Sequence, residues 1–318
     1  MNADFETELD AYAFAPRRPY RRPASFDALN RRLSEKLLWL ASPGDALLAE
    51  ETWADSLIEE ARVRGVELIS PASAEPQTHR LFTPWGWTPS AARAGVDVGA
   101  IVEPLPFETI ERVNSKLWSH ALEVEFGVAI KGAGVASTLE QLNDLARRAC
   151  PRAGDKWIVK SPYGFAARER VLGRGPSVEG AQAAWAVKRL ARGETLIFQP
   201  WLEVLREYGV VAEISRDGSH TISGVSDLQT NGAGTGTGYV LGRAPSPERM
   251  KELEATARVV CERLYAEGYC GPVGVDAIEH AGGLHPLLEV NARYTLGFIA
   301  VAVERAMKPG VPVFWSTK

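Results

Sequence analysis

The chain has 318 residues, 45% of them hydrophobic and 24% charged, with a net charge of -4. This composition fits about two globular domains and excludes wholesale disorder. The near-neutral balance gives no basic field for nucleic acid. The three cysteines, Cys150, Cys261 and Cys270, form no disulfide framework and no Cys/His ligand cluster. The opening residues MNADFETELD lack the basic-then-apolar pattern of a secretory signal. No apolar run approaches the roughly 18 residues that span a bilayer. The expectation is a cytoplasmic protein with no membrane or nucleic-acid partner.

Residues 1–35 have little apolar periodicity. They hold Arg17-Arg18 and Arg21-Arg22 among prolines. They read as a loosely ordered arm; the alternative is a contact with substrate or with a second copy in a homodimer. Lys36–Ala41 reads as a strand ending in the turn Ser42-Pro43-Gly44-Asp45. A helix is expected over Ala46–Arg64, stopped by Gly65, then a strand over Val66–Ile69. This strand, helix, strand order begins a parallel α/β unit. Trp85-Gly86-Trp87 reads as part of a core, with a stacking platform as the alternative. A helix is expected over Phe107–Phe126 and a strand over Val128–Lys131. Ser137-Thr138-Leu139-Glu140 is a capping box opening a helix to Cys150. Further on come a strand Trp157–Lys160, a loop Ser161–Gly175, a helix Ser177–Ala191 and strands at Thr195–Gln199, Tyr208–Ser215 and Thr221–Val225. Gly232–Gly238 reads as a hinge-like lid or as a disordered connection. Ser246-Pro247 opens a helix to Ala266. Two strands and a helix over Gly297–Met307 follow.

Common nucleotide and hydrolase signatures are absent. The glycine run 232–238 lacks the G-x-G-x-x-G spacing, and no lysine follows a glycine as a Walker A loop requires. There is no G-x-S-x-G and no H-E-x-x-H.

The most informative stretch runs from Gly271 to Arg293. Val273, Val275 and Ala277 alternate with polar positions, as do Leu288, Val290 and Ala292. With Gly282-Gly283 as a two-residue turn, Ala281 faces Leu284 and Asp276 faces Glu289. Asn291 and Arg293 continue the same face. Two carboxylates directly across a ladder repel unless a cation sits between them. Carboxylate and amide oxygens are hard ligands, suited to Mg²⁺ rather than zinc.

Here the sequence resembles the ATP-grasp superfamily. GPVGVDAI and LLEVNAR resemble its metal-binding strand pair. The resemblance implies that Asp276, Glu289 and Asn291 hold two Mg²⁺ or Mn²⁺ ions against ATP, and that Arg293 supports the transferred phosphoryl group. Lys116, in Asn114-Ser115-Lys116, and Lys160, ending the strand WIVK, resemble the two nucleotide-binding lysines. LIFQPWLE resembles the interdomain hinge, so the backbone around Gln199, Trp201 and Leu202 would read adenine. Glu207 or Glu203 would hold the ribose. Ser161–Arg170 is poorer in glycine than the family's usual loop, and Arg168 would supply a charge there.

The implied fold is α/β: an ATP-grasp fold over 113–198 and 199–318, two nucleotide-clamping α+β subdomains, preceded by a small Rossmann-like α/β domain over 36–112. The implied activity is ATP-dependent ligation of a carboxylate to an amine through an acyl phosphate, on an amino acid or short peptide. The alternatives are a phosphotransferase acting on a hydroxyl and a nucleotide-binding regulator without turnover. The complete Lys, Asp, Glu, Asn and Arg set argues against the regulator.

Overall fold

Residues 1–35 carry two helices, α1 (Phe5–Phe14) and α2 (Ser25–Glu35), where a loose arm was expected. In the computed structural model, which describes residues 1–15, 19–49, 53–71, 75–164, 169–231 and 234–317, Phe5 and Leu9 are buried in the largest core cluster. Asp4 accepts from Tyr20 at 2.7 Å and from Arg22 at 2.9 Å, tying the two helices together. Long-range burial thus orders a segment whose local composition favours none. Of the expected arm, Pro16, Arg17 and Arg18 lie outside the described residues.

Lys36–Trp39 is a short 3-10 turn, not a strand. Strand β1 (Ala46–Leu48) precedes α3 (Asp55–Arg64) and pairs parallel with β2 (Glu67–Ile69). The expected helix from Ala46 therefore starts nine residues late. Over so few residues, apolar spacing does not separate helix from strand, and pairing with β2 decides. Gly65, at φ 68°, closes α3 in the left-handed conformation. Helix α4 (Pro89–Asp97) follows, capped by Thr88.

The single helix expected over 107–126 is two, α5 (Phe107–Val113) and α6 (Lys116–Glu125). Asn114 breaks it. Its Oδ1 accepts from the Ala292 backbone N–H at 2.9 Å, and its Nδ2 donates to the Ile110 carbonyl. Ser115 then caps the new helix by accepting from Leu117 N–H. This restart puts Lys116 at the first position of α6.

Strand β3 (Gly134–Ala136) lies beyond the expected Val128–Lys131. Helix α7 (Leu139–Ala149) opens one residue later than the expected box: Thr138 accepts from Gln141 N–H, and Gln141 accepts from Ser137 N–H. Strand β4 (Lys156–Lys160) is followed by β5 (Arg170–Arg174), inside what read as loop. Helix α8 (Gly180–Leu190) and strand β6 (Leu196–Pro200) complete this part. The four strands form an antiparallel sheet in the order β3-β6-β4-β5. Trp157, Val159, Leu196 and Phe198 share one face and pack in one core with α7 and α8 residues. Strand parity puts Ile158, Lys160, Ile197 and Gln199 on the other.

The second sheet is larger. Strands β7 (Val204–Ile214), β8 (His220–Thr230) and β9 (Gly236–Leu241) precede α9 (Pro247–Ala266). Then come β10 (Gly271–His280), β11 (Gly283–Asn291), α10 (Leu296–Met307) and β12 (Val313–Ser316). Their order is β11-β10-β7-β8-β9-β12, antiparallel throughout. Val273, Val275 and Ala277 are buried with Leu253, Ala257, Val260 and Leu264 of α9. Of the expected glycine lid, residues 236–238 begin β9, and Gly232 and Ala233 lie outside the described residues. Among the described residues no helix is long and apolar enough to cross a membrane.

Candidate active site

Asp276 faces Glu289 across the β10–β11 ladder, as the alternation requires. The route to that register differs from the expected one. His280 pairs with Gly283, so the turn is Ala281-Gly282 rather than Gly282-Gly283. A bulge between Asp276 and Ile278 then restores the carboxylate pairing. Three β11 residues, Pro286 to Leu288, stand where β10 has only Ala277. Proline has no N–H for the ladder, and bulges are where strands accommodate it.

The acid face is crowded and incompletely compensated. Asn291 Nδ2 donates to Asp276 Oδ2 at 3.1 Å. Burial, then the charge of Glu289, pushes the Asp276 carboxyl up to about 7. Burial would raise Glu289 too, but the Lys116 charge and hydrogen bond outweigh it and hold Glu289 below the usual range. Lys116 Nζ donates to Glu289 Oε1 at 2.7 Å and to the Gly164 carbonyl at 2.8 Å. Lys160, at the end of β4, faces the same group; burial pushes its ammonium below the ordinary lysine range, with Glu289 opposing.

One cavity of about 350 Å³ is lined by Lys116, Lys160, Glu207, Asp276, Glu289, Asn291 and Arg293. These come from α6, β4, β7, β10, β11 and the turn after β11. Two acids with an amide beside them, one acid driven towards protonation, are a donor set that a hard divalent cation would satisfy. Their oxygens fit Mg²⁺.

Among the described residues, Gln199, Trp201, Leu202 and Glu203 do not line this cavity. Gln199 is buried on the Lys160 face of the smaller sheet and pairs with Ile158. Trp201 N–H donates to the Lys156 carbonyl at 2.9 Å. Trp201 and Leu202 are half-buried and Glu203 is exposed. Of the two ribose candidates, only Glu207 lines the cavity, where it accepts from Thr230 Oγ1. Arg168 lies outside the described residues. Arg93 is exposed, and Arg243 is held by Asp227 at 2.7 Å. Trp85 packs with Tyr239 and Ile299, in line with the core reading.

Arg293 has an unexpected partner. Its Nη2 donates to Asn291 Oδ1 at 2.9 Å and also to Glu6 of α1. Its Nη1 donates to the Tyr294 carbonyl, and its guanidinium lies 5.5 Å from the centre of the Phe5 ring. Its Nε is buried with no partner among the described residues. Glu6, Asn2 and Arg170 line the cavity without having been singled out in the sequence. For Arg170, the Val171-Leu172 pair was a weak strand signal; for Glu6 there was none, since its partner is 287 residues away.

Behind the cavity, α6 is pinned to β11 by a buried carboxylate. Glu123 accepts from His120 Nδ1 at 2.7 Å and from His285 Nε2 at 2.8 Å. Burial alone would raise its carboxyl, but the two histidines outweigh that and hold it below the usual range.

No family model matches the chain, and no curated protein does. Solved structures do. Biotin carboxylase from Campylobacter jejuni aligns over 88% of this chain and 68% of its own, with a TM-score of 0.58 at 12% identity. N5-carboxyaminoimidazole ribonucleotide synthetase from Thermus thermophilus aligns over 85% and 70%, with a TM-score of 0.53 at 19% identity. Pyruvate carboxylase from Rhizobium etli aligns over 78% of this chain, with a TM-score of 0.55 at 16% identity; the chain spans only 21% of its length. These likenesses show the fold. The chain has an α/β ATP-grasp fold, as its last strand pair implies.

Proposed function

We propose that this protein is an ATP-dependent carboxylate–amine ligase that forms an amide through an acyl phosphate. The observation that supports it is the gathering of Lys116, Lys160, Asp276, Glu289, Asn291 and Arg293 around one cavity between the two sheets. Asp276, Glu289 and Asn291 would hold Mg²⁺, or Mn²⁺, in two ions. The metal would neutralise phosphate charge and align the transferred group. Lys116 and Lys160 add charge-assisted contacts to phosphate. Glu207 would hold the ribose, and the hinge backbone at Gln199, Trp201 and Leu202 would read adenine. Arg168 would supply a further positive charge to the phosphates.

The substrate carboxylate oxygen attacks the γ-phosphorus and the bond to the ADP oxygen breaks. An amine then attacks the acyl carbon, phosphate leaves with the acyl C–O bond, and the amine nitrogen loses its proton. Arg293, with its planar fork, would carry the charge that develops on the phosphoryl oxygens. Its contacts to Asn291 and Glu6 fix where that fork points. A homodimer and a cytoplasmic setting belong to the same reading.

Hydroxylamine trapping tests it. With Mg²⁺, ATP and an accepted carboxylate, a ligase yields a hydroxamate, and Arg293→Ala loses it. A phosphorylated alcohol with no hydroxamate from any accepted substrate would instead make the protein a phosphotransferase.

A further inference from the structure

Helix α1 carries Glu6, Asp10 and Phe14 at four-residue intervals, so the three share one face. Glu6 holds Arg293, in the turn after β11 of the larger sheet. One turn on, Asp10 Oδ2 accepts from Arg192 Nη2 at 2.6 Å, and Asp10 Oδ1 lies 3.6 Å from Arg189 Nη1. These arginines stand at the end of α8, which packs on the smaller sheet. Another turn on, the Phe14 ring lies 6.1 Å from that of Tyr163 and 5.5 Å from the Arg192 guanidinium. One helix face thus touches both halves of the molecule that meet at the charged cavity.

The ionic chain continues beyond the arginines. Arg189 Nη1 and Arg192 Nη1 lie 3.2 Å and 3.1 Å from Glu194 Oε1. Glu194 is buried, and its Oε2 accepts from Ser161 Oγ at 2.6 Å. Ser161 follows Lys160 directly. Arg189 also pairs with Glu169, whose carbonyl accepts from Ser161 N–H at 3.0 Å. Leaving a buried acid such as Glu194 unpaired is costly, so the chain from Asp10 to Ser161 keeps its geometry. The segment it holds, Ser161–Gly164, supplies the Gly164 carbonyl to Lys116 at 2.8 Å. Helix α6 supports the same segment, since Lys116 N–H donates to the Pro162 carbonyl at 2.9 Å. Lys160, Gly164, Glu6 and Arg293 line the charged cavity; among the described residues, Asp10, Arg189, Arg192 and Glu194 do not. Asp10 therefore acts on the site only through its partners.

We propose that Asp10 is a positioning residue, and that α1 is a spacer setting the Lys160 segment of the smaller sheet against Arg293 of the larger. Four residues of helix fix Glu6 and Asp10 about 6 Å apart along the axis, and the hydrogen-bonded backbone resists stretching. The inference rests on the ligase reading for its kinetic readout alone. In that reading Lys160 and Arg293 both face the phosphoryl group in transit. A small misplacement of either costs rate more than binding, because the reacting atoms must be aligned.

Two variants break the same bond from opposite sides. Asp10→Asn removes the charge and keeps the size; Arg192→Gln removes the guanidinium. Hydroxamate formation is followed at a temperature where the far-ultraviolet circular dichroism of each variant matches the wild type. Each variant lowers kcat about tenfold and leaves the ATP KM within about twofold of the wild type. The double variant Glu6→Gln/Asp10→Asn separates one spacer from two unrelated supports. If one helix links the two arms, releasing either end frees it, so the double variant loses little more than the worse single one. Losses that multiply overturn the spacer, as does a lowered melting temperature with kcat unchanged. A second measurement needs no turnover. Amide exchange read by mass spectrometry should quicken over Ser161–Gly164 in Asp10→Asn, and also in Glu6→Gln, whose partner is Arg293 on the other sheet. Exchange there that ignores Glu6→Gln overturns the spacer. Faster exchange in both variants, with no hydroxamate ever formed, supports the spacer and overturns the ligase. Hydroxamate formed at the wild-type kcat in Asp10→Asn and Arg192→Gln overturns the spacer and spares the ligase.

Discussion

Two acids, the buried Glu123 on α6 and the half-buried Asp276 on β10, live in opposite states. Glu123 has a histidine on each oxygen, and its carboxyl is held below the usual range. Asp276 has one amide N–H and a second carboxylate opposite it, and burial and that neighbour push it up to about 7. The first acid is complete within the chain. The second is balanced only if something positive joins it. Glu123 ties α6 to β11, whereas we propose that Asp276 and Glu289 face a ligand.

The largest expected effect follows from that division. Glu289→Gln should lower ATP-dependent turnover by at least about 10²–10³-fold, because the charge facing the reacting phosphate is lost. Its far-ultraviolet circular dichroism should match the wild type. Full turnover in this variant would erase the contrast between the two acids.

Glu123→Ala should act on the fold. Removing one partner of a buried ionic network costs about 3–5 kcal/mol, readable in urea denaturation. The pH dependence has a definite sign. The Glu123 carboxyl is depressed in the folded state, so its stabilisation is present above the ordinary value of 4.5 and is lost as pH falls through the folded value. Glu123→Gln should therefore flatten the acid limb of the stability profile below that pH. Asp276 runs the other way: its folded value is raised, so stability is lost as pH rises through about 7. Asp276→Asn should raise the melting temperature of the ligand-free protein at pH 8 by about 2–4 °C. A fall would mean that the acid pair is already compensated.

The half of the site on β10 and β11 was legible in the sequence because strand alternation is local. Val273, Val275 and Ala277 fix one face, so Asp276 must lie on the other. Even there, the turn was misplaced by one residue, and the bulge that corrects it is signalled only by Pro286. The division of 107–126 into α5 and α6 was hidden because Asn114 breaks the helix through a bond to Ala292, 178 residues away. Residues 1–35 were the least legible. Their order comes from Phe5 and Leu9 joining a core built mostly from β7, α9 and β10, and Glu6 meets Arg293 only once both ends are folded. Local propensity carries none of that.

Smaller effects sharpen the contrast. Lys160→Ala should weaken ATP binding by about 1.5–3 kcal/mol, the worth of a hydrogen bond to a charged group. Unchanged affinity would remove Lys160 from the nucleotide site. Glu6→Gln should lower stability by about 1–3 kcal/mol, because the pair with Arg293 is buried and glutamine keeps a hydrogen-bonding oxygen but not the charge. It should shift hydroxamate yield more than ATP affinity, since Arg293 is its partner.

We propose that Asp276 and Glu289 together form a cation site for a nucleotide. It is tested most directly by calorimetric binding of a non-hydrolysable ATP analogue with and without Mg²⁺, in the wild type and in Asp276→Asn. Mg²⁺ should tighten wild-type binding about tenfold or more and leave that of the variant unchanged. Equal tightening in both proteins, or no nucleotide binding by the wild type, would contradict it.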